Sequence, residues 1–152
     1  MYDKDDNFCK PDRGSTPEPD HIMLSFCGDT KTEMAVSWRT DASAPDGYVL
    51  YREGSGEYQK VDAVCRVIES DIDISKFCTA QLKNLKAGTK YFYTCGNDNF
   101  RSTEFSFTTQ EENCSSFKFM VISDQQVGDP WEKPDYSAVT QMLKNALRRD
   151  GD

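Results

Sequence analysis

Residues 103–109, Thr-Glu-Phe-Ser-Phe-Thr-Thr, alternate between polar and aromatic side chains. Successive side chains of a β-strand point to opposite faces of a sheet, so this stretch predicts a strand with Phe105 and Phe107 facing inward. Ser106 and Thr108 then face solvent. A strand that is apolar on one face is typical of an antiparallel sheet packed against a second layer.

Six further stretches of this kind come earlier in the chain. Each is rich in β-branched and aromatic residues, and Gly, Asp, Asn and Pro residues separate one from the next. Short strands spaced by such turns predict an all-β sandwich over residues 21–109. The further predicted strands are 22–26, 34–38, 48–51, 61–68, 77–82 and 91–95.

Composition sets two other segments apart from this predicted sandwich. Residues 1–20 are polar and proline-rich, which predicts an irregular lead-in. Residues 110–116, Gln-Glu-Glu-Asn-Cys-Ser-Ser, form a polar linker. Within the linker, Asn113 matches the N-x-S pattern of a glycosylation acceptor, which has meaning only in a secreted eukaryotic protein.

The last part of the chain, residues 117–152, has a different pattern. Residues 117–124, Phe-Lys-Phe-Met-Val-Ile-Ser-Asp, are nearly all apolar and predict a strand buried on both faces, as in a parallel sheet. A helical period follows, with Asp135 as its N-cap. This β-α unit is too small to bury a core alone, so it is either an incomplete second domain or a packed extension. The predicted apolar face of the helix is Tyr136, Val139, Leu143, Ala146 and Leu147.

The charge balance excludes some classes of function. The 152 residues carry a net charge of −8, which disfavours binding to nucleic acid or to an anionic membrane surface. No apolar run is long enough to span a bilayer. The first seven residues are polar and cannot be the core of a signal peptide, so a secretion signal was either removed or never existed.

Cysteines and histidine limit the chemistry further. The six cysteines contain no C-x-x-C pair, which argues against a zinc knuckle, and the pattern leaves disulfides and buried free thiols both open. Cys27 and Cys95 lie in strand-like stretches and fit the buried alternative. His21 is the only histidine, and we expect it to be a solvated residue at a sheet edge.

One segment of the predicted sandwich carries a specific resemblance. Residues 85–93, Leu-Lys-Ala-Gly-Thr-Lys-Tyr-Phe-Tyr, resemble the corner between two strands of a fibronectin type III domain. The resemblance implies that Tyr91 is the corner tyrosine, that Gly88 makes the turn and that Trp38 is the core tryptophan. All three roles are structural.

The order of the segments resembles a narrower family, the purple acid phosphatases. In that family a fibronectin-like N-terminal domain runs into a metallophosphoesterase domain whose first strand ends in a metal-binding Asp. The likeness covers residues 18–150 and implies a fibronectin-like domain over 21–109 and the start of a truncated catalytic domain over 117–152. The segments that carry it are 24–29, 34–40, 49–51, 105–109 and 117–124.

This resemblance implies a function for the parent protein rather than for the fragment. Asp124 matches the first ligand of a two-metal site, with iron paired with zinc, manganese or iron, that hydrolyses phosphate monoesters. The family's other ligands have no counterpart here, so we assign no catalytic residue and expect a fragment that is inactive and binds no metal tightly. Gln126 departs from the His or Gly common at that position, which puts the purple-type site in doubt. The family also implies secretion and allows a homodimer.

A binding or spacer module is the alternative function. Fibronectin-type sandwiches serve widely for adhesion and spacing, and Asp124 would then take no part in catalysis. Two other sets of residues are more typical of ordinary surface turns than of binding sites. The loop residues Gly128, Asp129 and Trp131 would also suit the lining of a substrate cleft, but a surface turn is favoured. The pair Asp71 and Asp73 would suit a calcium site, but a solvated turn is favoured.

Overall fold

A computed structural model describes residues 14–70, 73–122 and 135–149. The chain divides into two compact units. The sandwich unit runs from Gly14 to Ser116, and the second unit contains the described residues 117–122 and 135–149.

The sandwich unit consists of eight antiparallel strands in two four-stranded sheets, which confirms the predicted all-β sandwich. The first sheet has the order β1-β2-β6-β5 and the second the order β4-β3-β7-β8. Strands that are consecutive in pairs, such as β1 with β2 and β3 with β4, therefore lie in one sheet, and successive pairs alternate between the two sheets, as in immunoglobulin-like sandwiches. The strands are β1 (Asp20–Ser25), β2 (Met34–Asp41), β3 (Tyr48–Glu53), β4 (Gln59–Asp62), β5 (Val64–Glu69), β6 (Ile74–Leu82), β7 (Lys90–Gly96) and β8 (Phe105–Thr108).

The core lies between the two sheets and is built from alternate residues of the central strands. Val36 and Trp38 of β2 face Val49 of β3, and all three are essentially inaccessible to solvent. Leu82 of β6 and Cys95 of β7 complete the buried layer. Because burial of apolar surface is the main favourable term in folding, these central strands supply most of the sandwich's stability.

The strand predicted over 61–68 divides into two strands that belong to different sheets. β4 ends at Asp62 and pairs with β3, whereas β5 begins at Val64 and pairs with β6. Ala63 lies between them, and its amide donates to the carbonyl of Gly47 at 3.0 Å. The chain crosses between sheets at one residue, without Gly or Pro, so the sequence carries no turn signal there.

Phe105 lies on the same face of β8 as Phe107, as predicted, but it is less buried. Phe107 is buried at 8% exposure, but Phe105 is 41% exposed. β8 lies at the edge of its sheet and Phe105 is its first residue, where the ring packs on Tyr93 with 5.8 Å between the centroids.

The described part of the lead-in is irregular but bound to the sandwich. The amide of Asp41 donates to the carbonyl of Thr16 at 2.8 Å, and the amide of Ser15 donates to the Asp73 carboxylate. The sandwich unit therefore starts before its first strand.

One disulfide joins two strands of the first sheet. Cys65 of β5 and Cys78 of β6 lie directly opposite each other and are bonded. Cys65 is the half-buried residue of β5, and its neighbours in that edge strand are exposed. The bond therefore anchors the edge strand to the sheet.

Within its described residues, the second unit contains the helix α1 (Ser137–Arg149). The Asp135 carboxylate accepts the Ser137 amide at 2.8 Å, which confirms Asp135 as the cap. Val139, Leu143 and Ala146 are half-buried on the predicted face, while Tyr136 is exposed. Among the described residues, no helix is long and apolar enough to cross a membrane.

Residues 117–122 differ from the predicted strand. They are exposed and have no strand pairing, with Phe117, Phe119 and Val121 each more than 75% exposed. A parallel strand requires neighbours that satisfy its backbone groups, and the described residues provide none for this segment. Residues 117–122 therefore have the apolar sequence of a buried strand but belong to no sheet in the described part of the chain.

Candidate functional site

The turn before β7 is closed by the side chain of Tyr91. The Tyr91 hydroxyl accepts a hydrogen bond from the Lys86 amide at 2.9 Å, and the ring is 4% exposed. Gly88 lies between them with φ of 59°, a left-handed conformation that favours glycine. The Thr109 hydroxyl donates to the Lys86 carbonyl at 2.6 Å. The corner is therefore tied both to β7 and to the end of the sandwich.

The first residues after this sandwich also belong to the corner. The Gly88 amide donates to the Gln110 carbonyl at 2.9 Å, and the Gln110 amide donates to the Thr30 carbonyl at 3.1 Å. Lys31 Nζ lies 3.2 Å from a carboxylate oxygen of Glu112. The linker is therefore fixed to the sandwich as far as Glu112.

Trp38 lies at the centre of the sandwich core. Its side chain is 1% exposed and packs so closely on Gly47 that a Cβ at that glycine would lie 2.7 Å from Trp38 Cζ2. No reactant can reach a ring buried in this way, and its place in the core gives it a packing role.

His21 lies in the edge strand β1 and is exposed. Its Nδ1 is 3.1 Å from the Asp20 carboxylate, which also accepts two hydrogen bonds from Arg39 at 2.6 and 2.8 Å. Burial raises the pKa of Asp20, but the hydrogen bonds from Arg39 and His21 outweigh it and leave that pKa below its ordinary value. His21 is thus the solvated edge residue that the sequence predicts.

Two of the thiols outside the disulfide, Cys27 and Cys95, have no features of nucleophiles. Cys95 is fully buried, and burial raises its pKa to about 11. Burial also raises the pKa of Cys27, with Glu33 acting in the same direction. Because the thiolate is the reactive form, both thiols are protonated and unreactive at neutral pH.

An open polar pocket of about 470 Å³ lies at one end of the sandwich. It is formed by the loop before β3 and the loop after β7. The Tyr48 hydroxyl donates to Asp98 at 2.6 Å, and that hydrogen bond raises the pKa of Tyr48. Lys60 Nζ lies 4.1 Å from the Tyr48 ring centroid and 3.2 Å from Asp62. The polar groups of the pocket therefore largely satisfy one another.

Sequence reasoning did not find this pocket. Its walls contain Asp46-Gly47 and Asn97-Asp98-Asn99, which read along the sequence as ordinary turns. Only the strand pairing of β3 with both β4 and β7 brings these two turns together.

The predicted metal ligand, Asp124, lies outside the described residues, as do Gly128, Asp129 and Trp131. Across residues 14–70, 73–122 and 135–149, no three His, Cys, Asp or Glu side chains form a group able to hold a metal ion. Asp73 accepts hydrogen bonds from the Ser75 hydroxyl and the Ser15 amide, while Asp71 also lies outside the described residues. The described part of the chain thus supplies a scaffold and no metal cage.

Comparison with solved structures agrees with the sandwich. Purple acid phosphatase PPD1 from yellow lupin (Lupinus luteus) seeds superposes with a TM-score of 0.53 at 21% identity, over 62% of this chain and 20% of that enzyme. The chain therefore spans about a fifth of the lupin protein. A computationally redesigned β-sandwich protein gives 0.43 at 21% identity, over 63% of this chain and 97% of that one. Astrotactin-2, a vertebrate-specific perforin-like membrane protein, gives 0.43 at 13%, over 63% and 22%.

The two four-stranded sheets and the corner closed by Tyr91 together define a fibronectin-type β-sandwich. The family model of the purple acid phosphatase N-terminal domain matches residues 19–109, which is more than half of the chain and nearly the whole sandwich. The chain therefore belongs to the purple acid phosphatase N-terminal domain family. No curated protein matches the sequence.

Proposed function

We propose that this chain is the N-terminal part of a hydrolase that cleaves phosphate monoesters at a two-metal site. The observation that carries the proposal is the family match over residues 19–109, followed in sequence by a linker and by the apolar run that leads to Asp124. That order is the one expected where such a domain continues into a catalytic domain.

In this proposal Asp124 is the one metal ligand that the chain contributes. A carboxylate oxygen is a suitable ligand for a hard cation beside a phosphate. In the parent, the metal pair would be iron with zinc, manganese or iron, and would supply the hydroxide that attacks phosphorus. The remaining ligands would come from the parent's further sequence, because the chain has no histidine after His21. The fragment by itself is then inactive and binds no metal tightly.

The sandwich has a supporting role in the proposed enzyme. Its core is complete within β2 to β8, and Trp38 and Tyr91 hold that core and its corner. It would support the catalytic domain structurally, form contacts of a homodimer or line the rim of the substrate cleft.

The net charge and the disulfide indicate which partners and which compartment to expect for the proposed enzyme. A net charge of −8 disfavours nucleic acid and anionic membrane surfaces as partners of the proposed enzyme. The Cys65–Cys78 bond favours an oxidising compartment, and therefore a secreted or extracytoplasmic protein.

The test uses the parent reading frame extended past codon 152. We expect downstream Gly-Asp, Gly-Asn-His and Gly-His-x-His motifs, and metal-dependent hydrolysis of a phosphate monoester by the extended protein. Asp124→Asn should remove bound metal, measured by elemental analysis, together with activity. The matched control Asp62→Asn changes an exposed carboxylate of β4 and should alter neither. An extended protein with full activity and metal content after Asp124→Asn would overturn the proposal.

A binding or spacer module is the second candidate, and one observation favours it. All residues of the buried core lie between Met34 and Phe107, so the sandwich closes its core without the segment that carries Asp124. A stop codon directly after Asp152 would support this candidate and count against the hydrolase.

A further inference from the structure

We propose that Asn113 is the acceptor of an N-linked oligosaccharide. Six asparagines occur in the chain, and only Asn113 has a hydroxyl residue two positions later, in Asn113-Cys114-Ser115. Transfer enzymes recognise this Asn-x-Ser/Thr pattern, which places the modified residue in a surface loop of a secreted protein. The inference is independent of phosphatase activity but relies on the secretory location proposed above.

The position of Asn113 fits a bulky polar adduct. It lies in the turn Glu112–Asn113, and every residue from Gln110 to Ser116 is exposed. By contrast, Asn97 is 3% exposed, and its side chain accepts the amides of Asn99 and Phe100. An oligosaccharide at Asn113 displaces no core side chain.

The linker presents Asn113 from an anchored base. The backbone hydrogen bonds of Gln110 and the ion pair between Lys31 and Glu112 hold the two preceding residues on the sandwich. Asn113 therefore emerges beside the corner of the sandwich, and an oligosaccharide attached there would cover the surface around it.

The disulfide is the independent observation that points to the same compartment. Cys65 and Cys78 are bonded, and such bonds persist where proteins are oxidised, as in the endoplasmic reticulum of eukaryotes. Oligosaccharide transfer to asparagine takes place in that lumen. A chain that forms this disulfide there also meets the transfer machinery.

The covalent step is a simple displacement. The Asn113 side-chain nitrogen forms a bond to the first sugar carbon of a lipid-linked diphosphate oligosaccharide. The bond from that carbon to the diphosphate oxygen breaks, the amide nitrogen releases one proton, and the lipid diphosphate leaves. No oxidant or reductant is needed.

The experiment translates the full 152-residue chain behind a cleavable heterologous secretion signal in the presence of endoplasmic reticulum microsomes. We expect a product protected from added protease and heavier than the unmodified chain by one core oligosaccharide. A peptide N-glycosidase should remove that mass. Asn113→Gln and Ser115→Ala should each abolish the shift, and Ser115→Thr should retain it.

Asn84→Gln is the matched control, because it removes another exposed asparagine that lacks the hydroxyl two residues later, and the shift should persist. A wild-type product that is imported but unmodified would overturn the proposal. Modification of the Cys114→Ala variant without modification of the wild-type chain would also overturn it, because Cys114 would then block transfer in the native sequence. A shift that survives Asn113→Gln would also refute it.

Discussion

The hydroxyl oxygen of Tyr91 lies 2.9 Å from the backbone nitrogen of Lys86, five residues earlier, and accepts its hydrogen bond. The pair closes the turn around Gly88. The ring of Tyr91 also packs on Phe107, with 5.6 Å between the centroids. One side chain therefore links the corner, the core and the last strand.

Tyr91→Phe is expected to lower the free energy of unfolding by about 1–3 kcal/mol, because the ring packing remains but the Lys86 amide loses its acceptor. Urea unfolding of the full chain, followed by circular dichroism, measures the change. Tyr58→Phe is the control, since its hydroxyl bonds Glu104 on an exposed surface, and a change within about 0.5 kcal/mol is expected. Equal effects of the two substitutions would contradict a special role for the corner.

Reduction of the Cys65–Cys78 bond should destabilise the sandwich by about 3 kcal/mol, since the bond closes a loop of 13 residues and restricts the unfolded chain. The urea midpoint with and without a dithiol reductant tests this expectation. A Cys65→Ser/Cys78→Ser variant should match the reduced protein and respond no further to reductant. Cys114→Ser, at an exposed thiol, should leave the midpoint unchanged; an equal loss there would argue against the disulfide as the cause.

Asp73 should make the stability of the sandwich depend on acid pH. The hydroxyl of Ser75 and the amide of Ser15 donate to its carboxylate and lower its pKa from 3.8 to about 2. A lowered pKa in the folded state contributes stability above pH 3.8, and this contribution is lost as the pH falls toward 2. Carboxyl-carbon NMR titration measures the pKa directly, and Ser75→Ala should raise it. A titration midpoint near 4 in the unmodified protein would be inconsistent with this geometry.

The 152-residue chain should show no phosphatase turnover at mildly acidic pH with iron, manganese and zinc supplied. Asp124 is the one ligand position that the family resemblance assigns to it, and a single carboxylate does not hold a metal pair. Release of phosphate from a chromogenic monoester provides the measurement. Turnover that disappears in Asp124→Asn would show that the chain is sufficient for catalysis, against this expectation.

The sequence was sufficient to predict the sandwich because alternation is a local property. In residues 34–38, the alternation of side chains along the sequence predicts which of them face inward. The helix cap at Asp135 could likewise be predicted from the local sequence. Sheet membership is not local. The run 61–68 reads as one strand, yet its halves pair with β3 and β6, and only long-range pairing separates them at Ala63.

The candidate site was less predictable for a related reason. Apolarity in 117–122 indicates a strand buried on both faces, but a strand forms only where neighbours complete its hydrogen bonds. The assignment of Asp124 therefore depends on family resemblance, since a carboxylate at the end of an apolar run is also common in ordinary turns. Likewise, the polar pocket at Tyr48 arises from two turns that are far apart in sequence.

The hydrogen bonds of Gln110 determine where a recombinant version of the sandwich should end. A chain cut after Thr109 would leave the Gly88 amide and the Thr30 carbonyl without their partners and would remove the ion pair of Lys31. Extending the chain to Glu112 retains all three contacts and omits the exposed apolar residues of the segment 117–122. Limited digestion should trim the protein to the same point, since Glu112 is the last residue of the linker that these contacts hold to the sandwich.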